Sequence, residues 1–347
     1  MSSVHSALPA QAAALPANQP RQFYRGGASI AALRGGDHDR EFGPEDWVAS
    51  TTARFGHDES GLSRLPDGRL LRDAVSADPQ AWLGAEHTSA FGDSTALLVK
   101  LLDAGQRLPV HCHPDNGFAQ RHLGSRFGKT EAWIVVGTSG PNPVVHLGFR
   151  DDVSPETVAE WVRTQDSSAM LGSLNEIPVK PGDTVHVPAG TPHAIGAGVF
   201  IVELQQPTDF SITLEWRGFL ADAESAFLGL DTTTALETVN RTRFDDALLS
   251  SLIKRTGGAD EGRVPLLADD AAPFFRADRL HGPAELDPSF GVLIVLDGRG
   301  ELHCAEGSPL QLSRGTTVVV PHAAGRTRLD GDLTTVLCRP PSAGSHA

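Results

Sequence analysis

Apolar positions along this chain fall chiefly into short continuous runs or strict alternation, the two patterns of β-strands. ALLVKLLDA at 96–104 and EAWIVV at 131–136 are continuous, of strand length and rich in aliphatic or β-branched residues. VFIVELQQPTDFSITLEW at 199–216 alternates, and TSGPNPVVHLGF at 138–149 reads as a strand pair around a turn. Helical spacing is confined to a few stretches. In SPETVAEWVRTQD, Ser154 suits an N-cap, Pro155 the first turn, and Val158, Trp161 and Val162 form one stripe. LPDGRLLRDAVSADPQAWLG turns at Pro66-Asp67-Gly68 and predicts a helix running into Trp82. ALETVNRTRFDDALLSSLI at 235–253 is the clearest helix of the 217–262 stretch, which ends in a polar linker from Arg255 to Gly262. Residues 1–20, rich in Ala, Pro and Gln, have no periodicity and are expected to form a disordered arm; a domain-packing arm is the alternative. The sum is a mainly β protein.

Composition narrows the class. The 36 glycines and 24 prolines fit a turn-rich β protein, and 347 residues suggest more than one domain. A formal charge of −14 without a basic cluster argues against a nucleic-acid surface. Three scattered cysteines, Cys112, Cys304 and Cys338, do not make a disulfide framework, so a reducing cytoplasm is expected. No membrane span and no signal peptide is expected either.

The chemistry centres on Gly105 to Gly137. His111 and His113 stand at i and i+2, so on a strand both imidazoles share a face and can bind one metal ion. Glu131 heads the next strand, and GDTVHVPAGTPH at 182–193 brings a third imidazole, His193, after a Pro-Ala-Gly corner. Lys129, two residues before Glu131, shares its face; a solvated loop lysine is the plainer reading. Lys100 interrupts an apolar run and must be paired there or contact substrate. Glu203, an acid among apolar neighbours, is either a structural hydrogen-bond partner or an acid/base group near the metal.

Gly105-x5-His111-x-His113 with Glu131, and Gly182-x5-Pro188-x-Gly190-x2-His193, resemble the two cupin motifs. The longer gap from His113 to Glu131, HPD after the histidines, GKTEAW, and PAGTPHAIG followed by ELQQ are similar to type I mannose-6-phosphate isomerases, especially the short bacterial form. The resemblance runs from about Phe23 to Trp216. FYRGGASIAAL and PEDWVAS resemble that family's opening, where a glycine turn and a buried tryptophan are expected.

The resemblance implies two cupin (jelly-roll) barrels with a helical insertion and connecting helices. The expected division is an arm at 1–20, a metal-binding cupin at 21–216 with the insertion at about 152–176, a helical connector at 217–262, and a metal-free cupin at 263–347. In the last, GVLIVLDGRGELHCAEG and GTTVVVP repeat the rhythm of the first barrel without its ligands. His111, His113, Glu131 and His193 are the implied ligands of Zn2+, with Mn2+, Fe2+ or Co2+ as other divalent ions for the same donors. Lys129, Glu203 and Lys100 are the implied substrate and proton-transfer residues. The implied activity is aldose–ketose isomerisation of mannose 6-phosphate, or of a different or unphosphorylated sugar, by a monomer or homodimer. A metal cupin oxygenase and a non-catalytic sugar-binding cupin are the alternatives. The chain departs from the family at Pro109, His111 and Thr213, where serine, glutamine and a key arginine are usual. Arg217, Arg121 and Arg126 are the candidates to replace that arginine's charge.

Overall fold

The computed structural model describes residues 10–255 and 262–342. It is mainly β, built from three antiparallel sheets. Two of them face each other in the N-terminal part. A six-stranded sheet runs in the order Ile253–Arg255, Asp183–Val187, Glu131–Thr138, Val199–Gln205, Leu98–Asp103 and Glu45–Val48. A five-stranded sheet runs Ile212–Thr213, His111–Cys112, His193–Ile195, Val144–Phe149 and Leu174–Pro178. Within the larger sheet every residue of Leu98–Asp103 is buried, and so is every residue of Val199–Gln205, which reads as alternating in the sequence. Tyr24, Leu102, Trp133, Val145, Leu147, Val185, Ile195 and Ile201 fill the space between the sheets.

Helices Pro155–Thr164 and Ser167–Gly172 follow the Val144–Phe149 strand and pack Val158, Val162 and Met170 on the outside of the smaller sheet. Ser154 caps the first by accepting a bond from Thr157 N–H. The 65–84 stretch forms helices Leu71–Ala77 and Pro79–Leu83, broken where Asp78 caps the second. The helix expected over 235–253 is in fact two short ones, Thr232–Leu236 and Asp246–Leu252. Asp245 restarts the helix by capping Leu248 N–H, and Asn240 closes a turn on Thr242 N–H between them. Its last residue, Ile253, instead begins an edge strand against Asp183–Val187. Of the linker expected after it, residues 256–261 lie outside the described residues.

The C-terminal part is one eight-stranded sheet whose long strands, Gly291–His303 and Thr327–Arg339, pair over most of their length. The expected disordered arm is corrected here. Its first nine residues lie outside the described residues, but Ala13–Ala14 pairs with Val318 and Val319 at the edge of this sheet, and Leu15 is buried. Composition hid this because the strand borrows its partner from 300 residues away and needs no alternation of its own. Arg34 ties the parts together, bonding Asp46 Oδ2 at 2.6 Å and Thr317 Oγ1 at 2.8 Å. One apolar cluster runs through both parts, from Leu71, Trp82, Val99 and Val202 to Phe275, Phe290, Val292 and Val319.

Candidate metal centre and active site

The site lies between the two N-terminal sheets. His111 faces His193 directly across the strand pair His111–Cys112 and His193–Ile195. The two rings are 4.1 Å apart, and His113 stands 5.0 Å from His111 and 4.9 Å from His193. The corner before His193 depends on Gly190, whose φ of +83° suits glycine. Its N–H donates to His113 O at 2.7 Å, and a Cβ there would lie 2.9 Å from Thr238 O.

Each imidazole is oriented by its Nδ1. His111 Nδ1 meets Pro109 O at 2.8 Å, His113 Nδ1 meets Phe210 O at 2.7 Å, and His193 Nδ1 meets Thr191 O at 2.8 Å. A carbonyl only accepts, so each Nδ1 carries the proton and each Nε2 presents a bare lone pair to the centre. Burial pushes all three imidazoles towards the neutral form, His113 down to about 3, and the surrounding positive groups act the same way. Glu131 Oε1 is 3.0 Å from His113 Nε2, and its Oε2 is 3.7 Å from His193 Nε2. Three lone pairs and a carboxylate thus converge, and His193 Nε2 is buried without any hydrogen-bond partner. That is the electrostatics of a cation site, and the donor types suit a divalent transition metal. Among the described residues these three histidines are the group of metal-ligating side chains close enough to hold one ion.

Lys129 Nζ lies 3.0 Å from Glu131 Oε1 and 3.4 Å from His113 Nε2. It is buried rather than solvated. Its backbone N–H bonds Pro114 O, an approach so close that a Cβ on Gly128 would lie 2.3 Å from that oxygen. Burial opposes ionisation of Glu131, but Lys129 and the imidazoles outweigh it and hold the carboxyl well below its ordinary range.

A second layer of charge lies beside the first. Lys100, buried, is 3.3 Å from Glu45 Oε2 and 3.5 Å from Glu203 Oε2, with its ammonium 4.7 Å from the Trp47 ring centre. Burial alone would favour the neutral amine; Glu45 and Glu203 reverse that and raise it. Glu45 also accepts from Gln22 Nε2 at 2.8 Å, Trp47 Nε1 at 2.6 Å and the hydroxyl of Tyr24, the chain's one tyrosine. Glu203 has less help. Burial and then the charge of Glu131 push its carboxyl up to about 7.

The structure therefore brings His111, Glu131, His193, Lys129, Lys100 and Glu203 together around one cavity of about 180 Å³, with Thr213 and Pro109 also in its wall and His113 set behind it against Glu131. The charge of Thr213's missing arginine is not replaced as expected. Arg126 bonds Ala90 O and stacks on Phe127, and Arg217 is exposed over Trp216. Arg121 lies in the last turn of the exterior helix Asn116–His122, and none of the three lines the cavity. Sequence reasoning missed Tyr24, Glu45, Asp209 and Arg54, all in the cavity wall. For Glu45 a signal existed: it stands two residues before Trp47 in PEDWVAS, so on a strand they share a face.

The chain is 40% identical over 176 residues to the mannose-6-phosphate isomerase of Streptococcus mutans, covering 49% of this chain and 52% of that one. To the probable mannose-6-phosphate isomerase GmuF of Bacillus subtilis it is 33% identical over 167 residues, covering 48% and 49%. It spans about half the length of these curated relatives. The solved structure of mannose 6-phosphate isomerase from Bacillus subtilis superposes with a TM-score of 0.72 at 21% identity, over 95% of this chain and 100% of that one, a likeness of fold. No family model matches the chain. By sequence over about half its length the chain is similar to mannose-6-phosphate isomerases, and over nearly all of it the fold is that of a solved member of that group.

Proposed function

We propose that the protein is a zinc-dependent aldose–ketose isomerase interconverting mannose 6-phosphate and fructose 6-phosphate, with His111, His113, His193 and Glu131 holding the metal. The observation that carries the reading is the convergence of three neutral imidazoles, with the Glu131 carboxylate against His113, beside a cavity whose wall also contains Lys129, Lys100 and Glu203. A divalent ion bound there supplies Lewis acidity towards the sugar's oxygens. The chain's own groups must then move a proton between C2 and C1. Glu203 is suited to carry it, because a carboxyl near 7 both accepts and releases a proton at neutral pH. Lys100 keeps a positive charge beside Glu203, and Lys129 offers N–H donors to a sugar oxygen next to the metal ligands. The cavity of about 180 Å³ is of a size for a small sugar. A reducing cytoplasm as the working compartment agrees with three free cysteines, two of them buried. Among the described residues no helix is long and apolar enough to cross a membrane.

The test is conversion of mannose 6-phosphate by purified protein with its metal content measured. Turnover that chelation removes and zinc restores is the expected result. Full zinc occupancy without conversion of any aldose phosphate would reject the reading.

A further inference from the structure

We infer that Arg54 is the residue that grips the phosphate of a phosphorylated substrate in this cavity. The inference rests on the sugar-phosphate reading above and adds to it a recognition element that the metal-ligand motifs do not contain.

The lysines of the cavity wall are already ion-paired, Lys129 with Glu131, and Lys100 with Glu45 and Glu203. Asp209 accepts the backbone N–H of Phe55. Arg54 lines the same cavity, half-buried, yet among the described residues no carboxylate lies within ion-pair distance of its guanidinium and no group hydrogen-bonds it. Its Nε is fully buried and unpartnered. A desolvated guanidinium N–H without an acceptor is costly, and the cost is relieved by an anion entering from the cavity. The forked donors of arginine match two oxygens of a phosphate, whereas a neutral sugar hydroxyl gains less from them.

The loop is also fixed in place. Arg54 N–H bonds Ser60 O at 2.7 Å, and the next residue's N–H bonds Asp209 Oδ2 at 3.1 Å. The Phe55 ring packs edge-on against Phe210, whose carbonyl orients His113. The backbone that carries Arg54 is therefore held against the segment that orients His113, which sets where its side chain enters the cavity. Thr213, in the same wall, is neutral and leaves this role to Arg54.

The experiment compares native protein with Arg54→Ala and Arg54→Lys. The kinetic readout is the ratio of kcat/KM for mannose 6-phosphate to that for free mannose; the binding readout is titration calorimetry with inorganic phosphate. A charge-assisted bond of this kind corresponds to about 10- to 150-fold, so Arg54→Ala should lower the ratio by that factor and weaken phosphate binding in parallel. Arg54→Lys should recover part of both. Zinc content and melting temperature identify a folding defect, and Arg54→Lys then serves as the deciding variant. An unchanged ratio with unchanged phosphate affinity overturns the assignment. If the native protein converts no aldose phosphate, the functional reading fails by itself. Calorimetry still decides Arg54: phosphate binding lost in Arg54→Ala supports it, and equal binding in both proteins rejects it.

Discussion

Lys100 and Glu203 stand opposite each other in adjacent strands, Cα facing Cα, with Nζ and Oε2 3.5 Å apart in a fully buried setting. An ammonium in the centre of a sheet is tolerated because two carboxylates from neighbouring strands face it, Glu203 from one side and Glu45 from the other. Lys100→Met removes the charge that holds both acids. The fold should lose about 3–5 kcal/mol, read as a lower midpoint in urea denaturation with little change in slope. A midpoint equal to the native one would mean that the two acids are satisfied without the lysine.

Glu203 gives a pH prediction with two signs. Its carboxyl is raised from an ordinary 4.5 to about 7, so the folded state disfavours the ionised form. The destabilisation therefore grows as pH rises from 4.5 through about 7 and is complete above that. Glu203→Gln, which mimics the neutral acid, should melt higher than the native protein at pH 8 and show a smaller advantage at pH 5. Turnover should move the other way: the native rate falls below about pH 7 as the base is protonated, and the variant loses that limb together with most of its activity. A variant that keeps the native rate and the native pH profile would remove Glu203 from proton transfer.

Lys129 is tied to the proposed metal ligands, with its ammonium bonded to Glu131 and near His113. Lys129→Ala should reduce kcat by about 10²–10⁴-fold while zinc content stays at one per chain. Loss of zinc in that variant would instead make Lys129 a support for the ligand set.

Arg34 joins the two parts of the molecule through Asp46, whose side chain is fully buried, and through Thr317 in the C-terminal sheet. Arg34→Ala strands a buried carboxylate and should cost about 3 kcal/mol in a single cooperative transition, because one apolar cluster spans both parts. Two separate calorimetric transitions would show that the parts unfold independently.

The residues readable from sequence were those whose geometry is local. His111 and His113, and likewise Lys129 and Glu131, were legible from i, i+2 spacing, although His113 and Lys129 stand just outside the strands His111–Cys112 and Glu131–Thr138. The glycine-to-histidine spacing around Gly190 marks a corner that recurs in one motif. Lys100 and Glu203 were legible as anomalies, charges inside apolar runs, but not as each other's partners, since register between strands 100 residues apart is set by tertiary packing. Tyr24, Arg54 and Asp209 gave no such signal. Each sits in an irregular segment and reaches the cavity because distant strands bring it there, as the Phe55 N–H bond to Asp209 does for Arg54. The arm was misjudged for a related reason: Ala13 and Ala14 become a strand only where Val318 and Val319 offer an open edge.

His113 offers the most direct test of the central claim, because its Nδ1 is fixed by Phe210 O and its Nε2 has no structural role except towards Glu131, Lys129 and the ion they would share. The measurement is zinc stoichiometry together with the rate of fructose 6-phosphate formation from mannose 6-phosphate, for native protein and His113→Ala at matched melting temperature. One zinc per chain with turnover in the native protein, and loss of both in the variant, is the predicted result. Zinc retained at full stoichiometry in His113→Ala, with conversion at the native rate, would contradict it.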